Sequence, residues 1–122
     1  MATIKRFEDI KAWQKSRELV KQIYHLSNSK SKFNKDIGLR EQIRRASVSV
    51  MSNIAEGFAR RRDKEFNRFL SISLGSAAEV QSQLYVAVDQ NYLTEKEFSD
   101  AYEAVSETAR LISGFMQYLT TE

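Results

Sequence analysis

The chain of 122 residues has no cysteine, no proline, four glycines, one histidine and one tryptophan. Each shortage excludes something. Without cysteine there is no disulfide framework and no thiolate metal site, which fits a reducing, cytoplasmic setting. Without proline, and with so little glycine, most turn chemistry is missing, which favours long helices over short strands joined by tight turns. No stretch approaches the ~20 apolar residues of a membrane span. The opening MATIKRFEDIKAW has no long apolar segment of the kind found in a secretory leader. The expectation is a protein of the cytoplasm with no membrane partner.

Catalytic and cofactor chemistry is equally thin. A general base or a metal site needs partners at defined spacing, and His25 has none in the sequence. It reads as a surface or capping histidine near a helix C-terminus. No glutamate is followed by histidine three residues on, so the di-metal pattern of carboxylate bundles is absent. Arg17 and His25 are separated by seven residues on one continuous helix, which does not fit the Arg-x4–6-His pattern of bundle nucleases. Glycine-rich phosphate loops are missing too. The reading is a non-enzyme with no catalytic residues, no metal and no cofactor.

What is present is helical periodicity. The length suits one domain, and a chain of this size buries roughly two-thirds of its unfolded surface. A first helix is predicted over about 7–27, from Phe7, Ile10, Trp13, Val20, Ile23 and Tyr24, with a polar break at Ser16 and Arg17. The stretch SNSKSKFNKD then reads as a solvated connector. A second helix is predicted over 36–57, with Leu39, Ile43, Ala46, Val50, Asn53 and Gly57 on one stripe. A third covers 64–90, with Asp63 as its N-cap and Phe66, Phe69, Leu70, Ser73, Ala77, Val80, Leu84 and Val88 inside. Within it, Gly75 to Ala78 (GSAA) is either a place of close backbone approach or merely tolerated. Thr94 and Glu97 form a capping box for a fourth helix over 95–120, with Phe98, Ala101, Tyr102, Val105, Ala109, Ile112, Phe115, Met116 and Leu119 facing inward. Helices of ~25 residues are roughly 40 Å long, and short links between them favour antiparallel neighbours. The fold expected is all-α, an antiparallel up-down-up-down four-helix bundle.

The second predicted helix has more apolar surface than one layer needs. Beside its inner stripe runs another, Arg44, Val48, Met51, Ala55 and Phe58. A helix packed on one layer needs a single stripe, so Val48, Met51, Ala55 and Phe58 are expected to face another helix or another subunit. Asn53 and Glu56 lie in or beside the inner stripe. Burying a carboxylate is costly unless it is paired, so the pair reads chiefly as a structural network, which Glu79 could join; a ligand role and plain exposure are the alternatives.

Charge is unevenly placed. Residues 1–88 hold 17 Lys/Arg and nine Asp/Glu, a balance of +8, and residues 89–122 hold two and seven, a balance of −5. The basic cluster comprises Arg40, Arg44, Arg45, Arg60, Arg61, Arg62, Lys64 and Arg68. It can neutralise phosphates, with Arg44, Arg45, Arg60, Arg61, Arg62 and Lys64 as the candidate contacts. A solvated turn with internal ion pairs is the alternative. A protein-interaction scaffold, with the acidic last helix as a docking surface for a basic partner, is the rival function.

A set of motifs in fixed order runs along the chain: Phe7-Glu-Asp-Ile10 and Trp13; Gln42-Ile-Arg-Arg-Ala46; Ser49; Asn53-Ile-Ala-Glu-Gly57; Phe66, Phe69 and Leu70; Gly75-Ser76 and Glu79. This set resembles the four-helix-bundle proteins encoded by intervening sequences of bacterial 23S ribosomal RNA genes. The family often has proline where Asn34 and Met51 stand here, which implies a looser connector and a straighter second helix in this chain. The resemblance implies assembly as a ring-shaped homopentamer. It also implies kinship with the accessory protein of diversity-generating retroelements, which works with a reverse transcriptase and nucleic acid through a basic surface. Of the arginines, only Arg44 and Arg45 lie near a shared motif; Arg60–Arg62 rest on charge alone.

Overall fold

The computed structural model describes residues 4–121. A 3-10 turn, Phe7–Asp9, precedes five α-helices: α1 Lys11–Ser29, α2 Ser31–Lys35, α3 Ile37–Ala59, α4 Asp63–Asp89 and α5 Glu95–Thr121. No strand occurs among the described residues. The four long helices pack in a closed cycle, α1 on α3, α3 on α4, α4 on α5 and α5 back on α1. Cross-links fix the directions. The start of α3 meets the turn after α4 through Tyr92 and Asp36. The end of α1 meets the start of α5 through Lys30 and Glu97. This is the up-down-up-down bundle.

The core is a column of aliphatic and phenyl side chains, among them Leu19, Ile23, Ile43, Val50, Ile54, Phe66, Leu70, Leu84, Val105 and Ile112. Each such side chain contributes about 1.5–3 kcal/mol by leaving water. The inward face of α1 is Ala12, Ser16, Leu19, Ile23 and Leu26, so Tyr24 is exposed and Val20 half-buried. The expected polar break at Ser16 is instead fully buried. Its hydroxyl donates to the Ala12 carbonyl at 2.6 Å. Ser27 and Thr108 bond back to the preceding turn in the same way. A short hydroxyl that spends its hydrogen bond on its own helix can sit in a core.

The connector SNSKSKFNKD is not a solvated loop. It contains α2, whose Phe33 is 1% exposed and stacks on Tyr92 with ring centroids 5.6 Å apart. Asn34 braces it: its carbonyl and Oδ1 accept from Arg40 at 2.9 and 2.7 Å. Asp36 then caps α3, accepting from the Leu39 amide at 3.1 Å.

Gly57 does not end α3, which runs on to Ala59. The turn comes at Arg61, whose φ of 63° is left-handed. The N-cap of α4 is Arg62, in extended conformation, and Asp63 is the first helical residue rather than the cap. In GSAA, only Ser76 and Ala77 face the bundle, while Gly75 looks onto open space. The close approach lies at Gly57 instead, where an added Cβ would stand 2.8 Å from Phe66 Cδ1 and from Phe69 Cβ.

Candidate nucleic-acid interface

The α3–α4 turn gathers the densest positive charge of the chain, and two of its arginines are held by a phenyl ring. Phe69 lies on the first turns of α4 and is 6% exposed. Arg60 and Arg68 place their guanidinium carbons 4.9 and 4.6 Å from its ring centre. A cation over an aromatic face is worth about 0.5–1 kcal/mol at an exposed site. Both arginines also have carboxylate partners, Glu56 at 3.6 Å from Arg60 and Glu65 at 3.2 Å from Arg68. The hydrogen bond from Arg68, aided by the nearby charges of Arg68, Arg60 and Arg62, holds the Glu65 carboxyl below its ordinary range. This pair spans one turn at the start of α4.

The other cations of the turn are less committed. Arg61 rests 5.9 Å from the Phe58 ring centre. The side chains of Arg62 and Lys64 are exposed and make no hydrogen bond, salt bridge or ring contact among the described residues, the Arg62 charge acting on Glu65 only through space. Arg61, Arg62 and Lys64 are thus the groups free to meet an anion, while Arg60 and Arg68 buttress them.

Arg44 and Arg45 do not join this cluster. Arg45 lies about 22 Å from Arg60 along the axis of α3, at 1.5 Å per residue. It lines a groove of about 350 Å³ between α3 and α4 with Glu41, Gln42, Ser49, Glu79 and Gln83. Arg44 is turned to α1: its Nε donates to Ser27 Oγ at 2.8 Å and its guanidinium sits 4.7 Å from the Tyr24 ring centre. The Nε donor and one face of the guanidinium are engaged there, while its terminal N–H groups make no hydrogen bond among the described residues.

The expected network of Asn53, Glu56 and Glu79 separates as well. Asn53 donates to the carbonyl and the hydroxyl of Ser49, at 2.8 and 2.9 Å, and Ser49 shares a 2.8 Å hydrogen bond with Ser76. This bridge joins α3 to α4. Glu56 and Glu79 lie outside it, both exposed, the first paired with Arg60 and the second on the groove wall. Ser49 and Ser76 belong to the shared motifs, but small hydroxyls give no hydropathy signal of a bridge.

Of the second stripe, Val48, Met51 and Ala55 are half-buried. Phe58 departs from it. It is 8% exposed and packs edge-to-face on Phe66 at 6.2 Å, so its surface is spent within the chain's own core. No group of three or more His, Asp or Glu able to hold a metal occurs among the described residues, and no described helix is long and apolar enough to cross a membrane.

Fold and site together define an all-α bundle protein whose distinctive chemistry is a cationic helix–helix turn on its surface. The chain belongs to the family of 23S rRNA-intervening sequence proteins, whose family description matches residues 8–114. The fold agrees with a crystal structure of a protein of unknown function from the S23 ribosomal protein family of Bacteroides thetaiotaomicron VPI-5482. That structure has a TM-score of 0.80 at 23% identity, over 86% of this chain and 97% of the other. At that identity the likeness shows the fold. No curated protein matches the chain.

Proposed function

We propose that this protein is a non-enzymatic, cytoplasmic, homo-oligomeric bundle that binds nucleic acid, RNA in the first instance, through the α3–α4 turn. The observation that carries the reading is the state of that turn. Arg60 and Arg68 are fixed by Phe69 and by carboxylates, while the side chains of Arg62 and Lys64 make no hydrogen bond, salt bridge or ring contact beside Arg61. Exposed, unpaired cations on a braced scaffold suit phosphate contacts, which give affinity without base readout and make it depend on salt.

Assembly is the second part of the reading. The half-buried stripe of Val48, Met51 and Ala55 suits a subunit contact. A ring-shaped pentamer and kinship with the retroelement accessory protein are what the family resemblance implies. A ring would repeat the turn around one rim and multiply its field.

The test is a comparison of the unaltered protein with Arg61→Ala/Arg62→Ala/Lys64→Ala on a labelled RNA hairpin, by fluorescence anisotropy. The expected result is weaker binding and a salt slope flattened by about two to three, since each phosphate neutralised adds ~0.7 to the slope on a single strand and ~0.9 on a duplex. Equal affinity and equal slope would contradict the reading.

A further inference from the structure

At the far end of α4 the surface has the opposite character. Tyr85 of α4 packs against Phe98 and Tyr102 of α5, with centroids 4.9 and 5.8 Å away, and Phe98 and Tyr102 lie 5.5 Å apart. The cluster is not sealed: Tyr85 is 51% exposed and its neighbour Val86 45%. Neither Tyr85 nor Tyr102 uses its hydroxyl in a hydrogen bond within the described chain. Gln81 and Ser106 close the seam one turn away.

The charges around these rings are selective. On α5, Glu97, Asp100, Glu103 and Glu107 are all in ion pairs, with Lys30, Lys96, Arg110 and Lys15. Glu95 is not, and neither is Asp89 at the end of α4. Asp89 lies one turn beyond Tyr85, and Glu95 one turn before Phe98, so each shares a helix face with a ring of the cluster. These two unneutralised carboxylates therefore flank the exposed aromatic patch. Of the free cations, Lys32 of α2 comes to this end of the bundle, where it lines a groove with Tyr92, Thr94 and Glu97 that includes none of Tyr85, Phe98 and Tyr102.

We propose that the Tyr85–Phe98–Tyr102 face is a docking surface for an arginine- or lysine-rich segment of a partner protein. A guanidinium or ammonium gains from the ring faces and from the carboxylates together, and its methylene stem lies along Val86 and the rings. Charge decides against the alternatives. Phosphate would meet two bare carboxylates, and an apolar helix would bury them unpaired, which is costly. The face is about 35 Å along α4 from Arg62, so this inference goes beyond the RNA reading and does not depend on it.

The probe is a fluorescein-labelled oligoarginine peptide, titrated into the full chain and followed by anisotropy. Saturable binding is expected. Tyr85→Ala should weaken it about two- to fivefold, while Tyr85→Phe, which keeps the ring, should bind as the unaltered protein does. Asp89→Asn/Glu95→Gln should weaken binding and flatten its salt dependence between about 50 and 300 mM. Glu41→Gln/Glu79→Gln removes the same charge in the α3–α4 groove and should change nothing. Circular dichroism should show full helix in each variant, since the altered side chains are exposed. Tyr85→Ala binding as tightly as the unaltered protein would overturn the proposal, as would an equal weakening in the groove variant. Conversion of an oligomer to monomers by Tyr85→Ala, read by light scattering, would also overturn it by giving the face to a second copy of the chain.

Discussion

A methyl group at position 57 would meet Phe66 Cδ1 and Phe69 Cβ at 2.8 Å, inside any normal carbon–carbon contact. The Phe69 Cβ is tied to the α4 backbone and cannot swing away, so Gly57→Ala must separate the helices that hold the basic turn. Overpacking of this kind costs about 1–3 kcal/mol, against a helix-propensity gain of about 1 kcal/mol. Urea denaturation should show a net destabilisation of about 1 kcal/mol, the middle of the range of about 0–2 kcal/mol that these two figures leave, with RNA affinity reduced because Phe69 no longer supports Arg60 and Arg68. A variant as stable as the parent would contradict the close approach. Arg61 presents the reverse case. Its φ of 63° is costly for a side chain with a Cβ and free for glycine. Arg61→Gly relieves a left-handed cost of about 1–2 kcal/mol against an unfolded-chain entropy term of about 0.4–1 kcal/mol, so it should raise stability by up to about 1 kcal/mol in thermal melts and still weaken RNA binding. That opposite movement would separate the fold's needs from the site's.

Elements begin and end here for local reasons, and those reasons govern how each responds to pH. The Thr94 hydroxyl accepts from the Glu97 amide at 3.1 Å, and Glu97 accepts from the Thr94 amide at 2.9 Å. Thr94→Ala should cost about 1 kcal/mol. Glu97 is held below its ordinary value of 4.5, first by the hydrogen bond from Lys30 and then by the Thr94 amide. Its folded value being the lower one, this contribution is complete above the unfolded value and is lost as pH falls through the folded one. Acid titration should therefore destabilise the unaltered protein more than Glu97→Gln; parallel curves would mean that the carboxylate contributes nothing. The capping box was legible in the sequence because its two partners lie three positions apart. So were the long helices, whose expected limits fall within a few residues of those observed. The short helix α2 was not legible, because one phenylalanine among serine, asparagine and lysine carries no period, and its burial depends on Tyr92 some 59 positions away. The inward turn of Ser16, and the roles of Ser49 and Ser76, were hidden for a related reason: a hydroxyl's partner is set by packing, not by hydropathy. The engagement of Arg44 was hidden because Tyr24 and Ser27, which hold it, lie on another helix.

The whole molecule carries free cations on the α3–α4 turn and free carboxylates with exposed rings at the other end of α4. Between them, Val48, Met51 and Ala55 remain half-covered along α3. If they meet another subunit, Met51→Glu should give monomers by light scattering with helical content kept, since the position faces outward enough to solvate a carboxylate. An unaltered protein that is already monomeric would end the assembly reading. A free turn that neutralises phosphates must show itself in salt dependence. Titration of the unaltered protein into a labelled RNA hairpin at several salt concentrations measures it directly. Binding at low salt that falls steeply as salt rises is the expected result; no binding at low salt, or binding indifferent to salt, would contradict a phosphate-binding turn.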